Sequence, residues 1–440
     1  MFIIGNGTLV TQDVSNPVTK NGGVVVSKNE IVAVGAMEKI KGQYPEASFI
    51  DAHGGLILPG FIDAHEHIYS MMARGMSLVL PQKADLKTIL EKLWWKVDRA
   101  LTNDLTYKSA MAAYLELVKN GVTTVIDHHA SYGGIADSLS AIAQAAKCFS
   151  VKSCLCYEVS DRAGKDKMKA AVLENERFIK ETAKDPVLAG MMGLHASFTL
   201  ADSSLSYCAE HAGDAGYHVH IAEGAIDQKD CIEKHHMRIA ERFSQFSILG
   251  PKTLAAHCID IDEHEMELIK ESKSAVVHNP QSNMNNAAGA PQVLKMMEKN
   301  ILIGLGTDGY THDMLASYKA ADLLHKHQLK DPAAGFLEMS QAMFQNNREI
   351  AGRYFSTPTG MLKQGYAADV IIADYDPPTP IEPSNVKAHL LFGISGKDIS
   401  FTMAQGNIVM KDRKLVQLDE IQIMENCRQG AVELWKKLNE

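Results

Sequence analysis

The sequence predicts a distorted (β/α)8 barrel flanked by a small composite β-sandwich domain that both ends of the chain build together. Short apolar runs alternate with helix-length segments through the middle of the chain, and closely spaced β-type runs return at its two ends. The length of 440 residues fits one large α/β barrel plus a smaller module. We expect the N-terminal half of the composite domain in residues 1–56, the barrel in 57–360, and the C-terminal half with a terminal helix in 361–440.

The two ends of the chain share one pattern of short β-type runs. Between Phe2 and Ile50 runs such as TLVT and EIVAVG are broken by Gly and Asn, and similar runs return between Asp369 and Gln417. Strands with turn signals at such short intervals indicate an antiparallel sheet. Neither end has enough strands to close a core alone, so we expect the two ends to meet.

The middle of the chain carries the barrel signal. Eight apolar runs have strand length: Leu56–Ala64, Gly121–Ile126, Ser150–Val159, Leu188–Ser197, Tyr217–Ala222, Thr253–Cys258, Ser274–His278 and Ile301–Gly306. Helix-like stretches such as Ala84–Lys119 and Lys165–Lys184 lie between them. Eight alternating strands predict a parallel sheet that closes into a barrel. The rival, a doubly wound open sheet, usually has a Gly-rich first turn, and no G-x-G-x-x-G motif follows the first of these strands.

Histidines concentrate where the predicted strands end, which is where a βα barrel places its active site. Nine of the 18 histidines lie there: His65, His67, His128, His129, His195, His218, His220, His257 and His278. His65 and His67 are two apart on a strand, so they point to the same face and can share one metal ion. With a third histidine and Asp308 at later strand ends, the pattern predicts a catalytic site for a borderline ion such as Zn²⁺.

Five motifs carry a family resemblance. PGFIDAHEH, HVHIAE, AAHC, HNPQSN and GTDG, in this order and spacing, resemble the amidohydrolase superfamily. More narrowly they resemble its aminohydrolase/chlorohydrolase group, the ATZ/TRZ-like cyclic deaminases, which act on aminated heteroaromatic rings. The flanking β segments are similar to that group as well, so the likeness covers nearly the whole chain. The resemblance implies a metal-dependent aminohydrolase that deaminates a purine, pterin or triazine type of ring.

The resemblance also implies roles for individual residues. The implied metal ligands are His65, His67, His220 and Asp308. Glu223 matches the acid/base carboxylate, His257 matches the histidine that hydrogen-bonds the metal's water, and Asp308 can accept that water's proton. Binuclear relatives bridge two ions with a strand-four Lys, which is missing from MMGLHASFT, so we expect one divalent ion. Zn²⁺ is the first choice, and Fe²⁺ also suits such ligands.

Three residues are candidates for binding the substrate. His195 matches a position that usually contacts the substrate in the family. His128 and His129 point to opposite faces of their strand, so at most one of them enters the site; His128 is either a substrate contact or a polar strand end. Arg162, in EVSDR, could bind an anionic or carbonyl group of the substrate, with a surface ion pair as the alternative. The histidines on predicted helices, including His325 and His327, are expected to be solvated.

Composition and charge limit the possible partners and cellular location of the protein. With 44 Lys+Arg against 53 Asp+Glu, the net charge is −9, and no polybasic run suggests a nucleic-acid partner. No apolar stretch reaches membrane-spanning length, no secretory signal is visible, and seven scattered cysteines favour a reducing, cytoplasmic setting. The expected partners are a small heterocyclic substrate and further copies of the chain, as a homodimer or higher homo-oligomer.

Two alternatives to deamination stay open. The same metal ligands and acid/base residues would serve hydrolysis of a cyclic amide or of a ring C–Cl bond. A metal-binding barrel that has lost activity and acts as a scaffold is the alternative of another class. Glu223 and His257 argue against the scaffold, because binding alone needs neither.

Overall fold

The computed structural model describes residues 1–77, 79, 81–82 and 84–439. Its strands, numbered in chain order, are β1 Phe2–Val10, β2 Val18–Ser27, β3 Glu30–Ala36, β4 Ser48–Asp51, β5 Leu56–Pro59, β6 Phe61–Glu66, β7 Val122–His129, β8 Lys152–Val159, β9 Leu188–Gly190, β10 Met192–Leu194, β11 Tyr217–Ile221, β12 Leu254–His257, β13 Ala275–His278, β14 Leu302–Leu305, β15 Val370–Ala373, β16 Ile399–Ala404, β17 Asn407–Lys411 and β18 Lys414–Leu415.

Helices connect most of these strands. The α-helices are α1 Met37–Gln43, α2 Leu86–Ile89, α3 Trp95–Ala100, α4 Asn103–Lys119, α5 Ser138–Phe149, α6 Lys165–Thr182, α7 Asp202–Ala212, α8 Ala225–His235, α9 Ile239–Gln245, α10 Glu263–Glu271, α11 Pro280–Asn285, α12 Val293–Glu298, α13 Met314–Leu329, α14 Phe336–Ser340, α15 Asn347–Ala351, α16 Val386–Ala388 and α17 Glu420–Asn439. Single π-helical segments are Leu90–Trp94, Gln341–Asn346 and His389–Gly393, and 3₁₀ turns are Ile68–Ala73, Asp161–Ala163, Ser197–Thr199 and Gly396–Asp398. Within the described part of the chain, no helix combines the length and apolarity needed to cross a bilayer.

Strands β6 to β14 form the barrel. Their hydrogen-bonded order is β14-β13-β12-β11-β10-β8-β7-β6, all parallel, with the short β9 beside β8. The two edge strands meet where the backbone N–H groups of Thr307 and Asp308 donate to the His65 carbonyl at 3.0 and 2.9 Å. Strands β12 and β13 are buried along their whole length, as expected of parallel strands covered on both faces. The predicted barrel is confirmed.

The chain ends build a second sheet, as predicted. Its order is β18-β17-β16-β15-β5-β1-β2-β3, with β4 beside β1. The two ends of the chain join where β15 runs antiparallel to β5, with Val370 opposite Pro59. Most pairs are antiparallel, and β1 pairs in parallel with β4 and β5. Ile4 and Val24 from the N-terminal part share one buried apolar cluster with Ile372 and Phe401 from the C-terminal part, so the two parts build a common core.

The predicted strand Leu56–Ala64 is divided between the two sheets. Its first part is β5 of the terminal sheet and its second part is β6 of the barrel. The change occurs at Gly60, whose N–H donates to the Asp369 carbonyl, while the next N–H, of Phe61, donates to the Gly121 carbonyl. Both parts are buried and apolar, which is why the sequence reads as one continuous run.

The predicted helix Ala84–Lys119 is also divided. Helix α3 ends before Leu101, whose ψ of 126° is extended. Helix α4 then starts with Thr102 as its N-cap, the hydroxyl accepting a hydrogen bond from the Leu105 N–H at 3.4 Å. The segment before Leu101 is thereby separated from α4, which packs against α5 and α17.

A buried ion pair connects the barrel to the terminal sheet. Lys152 Nζ lies 3.3 Å from Asp369 Oδ2, and both side chains are fully buried. Asp369 also accepts hydrogen bonds from the Thr359 hydroxyl at 2.7 Å and the Gln405 backbone N–H at 2.8 Å. Removing the lysine charge leaves a buried carboxylate without its countercharge, which typically costs about 3–5 kcal/mol.

We therefore expect Lys152→Met to lower the free energy of unfolding by about 3–5 kcal/mol, measured as a shift of the urea unfolding curve. The matched control is Lys20→Met, which breaks the exposed pair of Lys20 with Glu382 and is expected to leave the curve unchanged. Equal curves for the two variants would show that the buried pair does not hold the two sheets together.

Candidate metal centre and active site

The four predicted metal ligands lie together at the carboxyl ends of the barrel strands. His67 Nε2 is 3.2 Å from His220 Nε2 and 3.4 Å from Asp308 Oδ1. Ligand atoms of His65, His67 and His220 all lie within 4.8 Å of one another, and so do those of His65, His257 and Asp308. All of these side chains are buried. Three imidazoles and a carboxylate at this spacing match the donor set of a catalytic zinc site.

Two of the candidate metal-binding histidines have their tautomers fixed by hydrogen bonds on the ring nitrogen that faces away from the cluster. His67 Nδ1 donates to the His128 carbonyl at 2.6 Å, and His220 Nδ1 donates to the His195 carbonyl at 2.8 Å. A carbonyl only accepts, so Nδ1 carries the proton in both rings. The lone pair of each Nε2 therefore faces the cluster, as metal-binding imidazoles require.

A longer chain of contacts fixes the tautomer of His65. Its Nδ1 is 2.7 Å from His218 Nε2, His218 Nδ1 is 3.7 Å from Cys156 Sγ, and that thiol donates to the Asp127 carbonyl at 3.4 Å. Traced back from the carbonyl, each donor in this chain leaves His65 with its proton on Nδ1. His65 Nε2 is then a buried lone pair without a hydrogen-bond partner among the described residues. A divalent ion at the cluster fits this atom, because a buried nitrogen otherwise loses its hydration without compensation.

Two site residues have strained backbones. His257 has φ of 71° and Asp308 has φ of 55°, a left-handed region that costs a residue with a side chain about 1–3 kcal/mol. His257 Nδ1 contacts Asn283 Oδ1 at 2.8 Å. Its Nε2 lies 3.5 Å from Asp308 Oδ2 and 3.8 Å from Glu223 Oε2. One imidazole nitrogen of His257 thus lies between two carboxylates, where it can orient a water molecule.

The ionisable groups of the site differ in their pKa values. Burial, and then the neighbouring His67, hold the pKa of His220 well below its ordinary value, so the ring is neutral and able to bind a metal. Burial raises the pKa of Glu223, with His257 opposing the shift. Burial also acts to raise the pKa of Asp308, but His67 and His257 outweigh it and lower the pKa overall. Two carboxylates whose pKa values move apart can divide the acid and base roles.

A cavity of about 620 Å³, counting solvent at its mouth, lies over the cluster. It is lined by His67, Tyr69, Leu86, Leu90, Trp94, Glu158, His195, His220, Glu223, Ser282, Asn285, Asn286, Asp308, Gly309 and Tyr310. The segment before α3 turns one apolar face to the cavity, because its lining residues follow one another at intervals of four: Leu86, Leu90 and Trp94.

Of the three predicted substrate contacts, His195 lines the cavity. Its Nδ1 is 2.8 Å from the Thr199 hydroxyl, which donates its one proton to the Ala196 carbonyl at 3.1 Å. Nδ1 of His195 must therefore be the donor in that contact. This leaves Nε2 as a hydrogen-bond acceptor for a ligand in the cavity.

The other two predicted contacts do not line the cavity. His128 packs behind His220, with ring centroids 4.5 Å apart, and its Nε2 donates to the Leu194 carbonyl at 3.0 Å. Arg162 forms ion pairs with Asp98 and Glu158, and only 7% of its side chain is exposed. The predicted alternative for Arg162, a surface ion pair, is corrected to a buried one.

Sequence reasoning missed several cavity residues. Glu158 is the penultimate residue of β8, so the strand-end rule that selected the histidines would have found it. Tyr69 and Trp94 lie in the segments that follow β6, where no pattern marks them. His325, expected on the surface, is buried with its ring 5.1 Å from that of His278, while His327 is exposed as expected.

The barrel and the His/Asp cluster together define a metal-dependent hydrolase class. The chain belongs to the amidohydrolase family, which matches residues 56–409. It is 29% identical over 446 residues to a 5'-deoxyadenosine deaminase of Methanosarcina mazei, covering 100% of this chain and 99% of the relative. A 5-methylthioadenosine/S-adenosylhomocysteine deaminase of Syntrophobacter fumaroxidans is 28% identical over 438 residues, covering 97% of each chain.

Solved structures share the fold. A zinc-bound adenosine deaminase from Xanthomonas campestris superposes with a TM-score of 0.88 at 20% identity, over 98% of both chains. The atrazine chlorohydrolase TrzN from Arthrobacter aurescens, in complex with zinc, gives 0.82 at 19% identity over 98% of this chain and 100% of the other. The predicted family and fold class are confirmed.

Proposed function

We infer that this protein is a metal-dependent hydrolase that deaminates an amino-substituted nitrogen heterocycle, and we propose an adenosine-type purine as the substrate class. One observation carries the reaction: Glu223 and Asp308, with pKa values shifted in opposite directions, flank His257 at the base of the cavity. The deaminase names of relatives that match the chain over nearly its full length agree with this reaction class, which the sequence predicted. The same names support the purine.

We propose that His65, His67, His220 and Asp308 would hold one divalent ion, and that the ion is Zn²⁺. The buried, partnerless His65 Nε2 supports a bound cation, and zinc in two structures of the same fold supports its identity over Fe²⁺. When bound, such an ion lowers the pKa of a water from 15.7 to about 7 and so supplies a nucleophile at neutral pH.

Asp308, His257 and Glu223 divide the positioning of the water and the proton transfers. Asp308 accepts the proton of the attacking water, and His257 orients that water through Nε2. Glu223 protonates the ring nitrogen beside the attacked carbon, so negative charge does not build up on the ring as the C–O bond forms. Asp308 then passes the water's proton to the amino group, so that ammonia leaves as the C–N bond breaks. Glu223 regains a proton from the new hydroxyl as the ring carbonyl forms.

Removing the metal tests this proposal at its first step. We expect protein treated with a chelator and then dialysed to release no ammonia from adenosine, and added Zn²⁺ to restore the reaction. Ammonia release and elemental analysis on the same samples give the measurement. Full turnover by metal-free protein would contradict the assignment of the cluster.

A panel of substrates separates deamination from the alternatives. Hydrolysis of a ring C–Cl bond would use the same residues, and one structure of this fold is a chlorohydrolase. Aminated, chlorinated and cyclic-amide heterocycles are therefore offered in parallel, with ammonia, chloride and ring opening as readouts. Chloride release or ring opening without ammonia favours the first alternative, and no turnover by fully metallated protein favours a scaffold.

We also propose a cytoplasmic location and a homodimer or higher homo-oligomer. All seven cysteines are unpaired, which supports a reducing compartment. Light scattering on the purified chain tests the oligomeric state.

A further inference from the structure

Three buried charged side chains stand beside the cavity, and none of the steps above uses them. Arg162 Nη2 lies 2.6 Å from Glu158 Oε1 and 2.5 Å from Asp98 Oδ2. The guanidinium is held between the rings of Trp95 and Tyr132, at 5.2 and 4.4 Å from their centroids. With two ion pairs and two ring contacts, Arg162 is fixed in the wall and does not extend into the cavity.

This cluster has more negative than positive charge. Two carboxylates share a single guanidinium, and both contact the same nitrogen atom. Burial raises the pKa of Asp98 to about 6, with Arg162 opposing the shift, so Asp98 is mainly ionised at pH 7.5. One negative charge therefore has no countercharge within the cluster, an unfavourable state for a buried site unless a ligand supplies the partner.

Glu158 is the member of the cluster that reaches the cavity. It is one of the lining residues, whereas Asp98 and Arg162 are not. Arg162 occupies its Oε1, and its Oε2 has no hydrogen-bond partner among the described residues. An ionised carboxylate only accepts hydrogen bonds, so the partner of Oε2 must be a donor.

The rest of the described cavity lining contains no positive charge that would attract an anionic substituent. Among the described residues around the cavity there is no Lys or Arg. The contact of His195 Nδ1 with the Thr199 hydroxyl leaves Nε2 of this ring as a hydrogen-bond acceptor. Away from the metal ligands, an anionic substituent would meet Glu158 and no cation.

We propose, on the basis of the function proposed above, that Glu158 is a specificity-determining residue of the substrate site. It accepts a hydrogen bond from a hydroxyl, N–H or ammonium group on a substituent of the heterocycle, and it disfavours substituents with a negative charge. The substrate class is thereby narrowed to neutral or cationic aminated heterocycles that carry a hydrogen-bond donor outside the ring.

Three adenosine derivatives that differ only at the 5' position test the proposal: 5'-amino-5'-deoxyadenosine, 5'-deoxyadenosine and adenosine 5'-carboxylate. Zinc-loaded wild type and Glu158→Gln are compared by kcat/KM for ammonia release and by calorimetric binding. We expect the wild type to favour the amino over the carboxylate derivative at least about tenfold. In Glu158→Gln, which keeps the shape and removes the charge, we expect this ratio to fall to within about threefold of unity.

The two readouts separate the two proposals. Ammonia release with the same charge preference in both proteins overturns the role of Glu158 and leaves the deaminase intact. Binding whose charge preference depends on Glu158, without ammonia release, supports the role of Glu158 and overturns the deaminase. Neither binding nor turnover of any of the three compounds overturns both.

Glu91→Gln is the matched control. It makes the same charge change on an exposed side chain of the neighbouring π-helical segment, outside the lining of the cavity. It is expected to leave the amino-to-carboxylate ratio unchanged, and an equal change in Glu91→Gln and Glu158→Gln would contradict a local role. Asp98→Asn, which lowers the charge of the cluster from behind the wall, is expected to shift the ratio in the same direction by a smaller factor.

Discussion

Glu223→Gln is expected to lower kcat for ammonia release by about 10²–10⁴-fold, the usual effect of a positioned proton carrier. The carboxyl lines the cavity and lies 3.8 Å from His257 Nε2. Burial raises its pKa, which favours the protonated form that can give a proton to the ring nitrogen. The amide has the same shape but cannot transfer a proton, and the ring would have to accept the attack without neutralisation.

Metal content distinguishes this role from metal binding. Glu223 lies outside the two groups of metal-binding side chains, so the variant should keep the metal content of the wild type. The matched control is Glu233→Gln, an exposed position on α8 that should leave kcat unchanged. Loss of metal together with activity would make Glu223 a ligand, and kcat within about threefold of wild type would remove it from the chemistry.

His220→Asn is expected to lower metal affinity at least about 100-fold and to abolish turnover at ambient metal. Outer hydrogen-bond partners of metal ligands already contribute about 10–100-fold to affinity, so loss of a ligand should cost no less. His220 Nε2 is 3.2 Å from His67 Nε2, and its Nδ1 is held by the His195 carbonyl. The shorter side chain cannot fill this position without losing the outer contact.

The control for this variant is another histidine. His327 is exposed on α13, and His327→Asn should keep both metal and activity. Metal content by elemental analysis and kcat with increasing added Zn²⁺ are the measurements. A His220→Asn protein that retains wild-type metal and turnover would show that the cluster is not the metal centre.

Most of the fold could be predicted from the sequence because it follows from hydrophobic period and element length. The barrel strands are continuous apolar runs, and the terminal strands lie between turn residues. The change of sheet at Gly60 could not be predicted, because both sheets bury the same kind of residue there. The break before α4 depends on the cap at Thr102, a local signal inside a longer helical pattern.

The candidate ligands could be predicted because parallel strands bring their carboxyl ends together, so residues far apart in sequence share one site. The surroundings of Arg162 could not, because its partner Asp98 comes from a different part of the chain. That pairing decides whether Arg162 or Glu158 enters the cavity, and the pairing cannot be predicted from strand periodicity. The same holds for His325, whose burial depends on the packing of α13 against α11, the helix that follows β13.

The most direct measurement is ammonia release from adenosine and 5'-deoxyadenosine by zinc-loaded protein, compared with metal-free protein and with Glu223→Gln. We expect ammonia and the deaminated purine in equal amounts from the zinc-loaded wild type, and neither product from the metal-free protein. Glu223→Gln should retain its zinc and form both products at a rate reduced by about 10²–10⁴-fold. Fully metallated wild type that releases no ammonia from these purines or from any other aminated heterocycle would contradict the assignment of this protein as a deaminase.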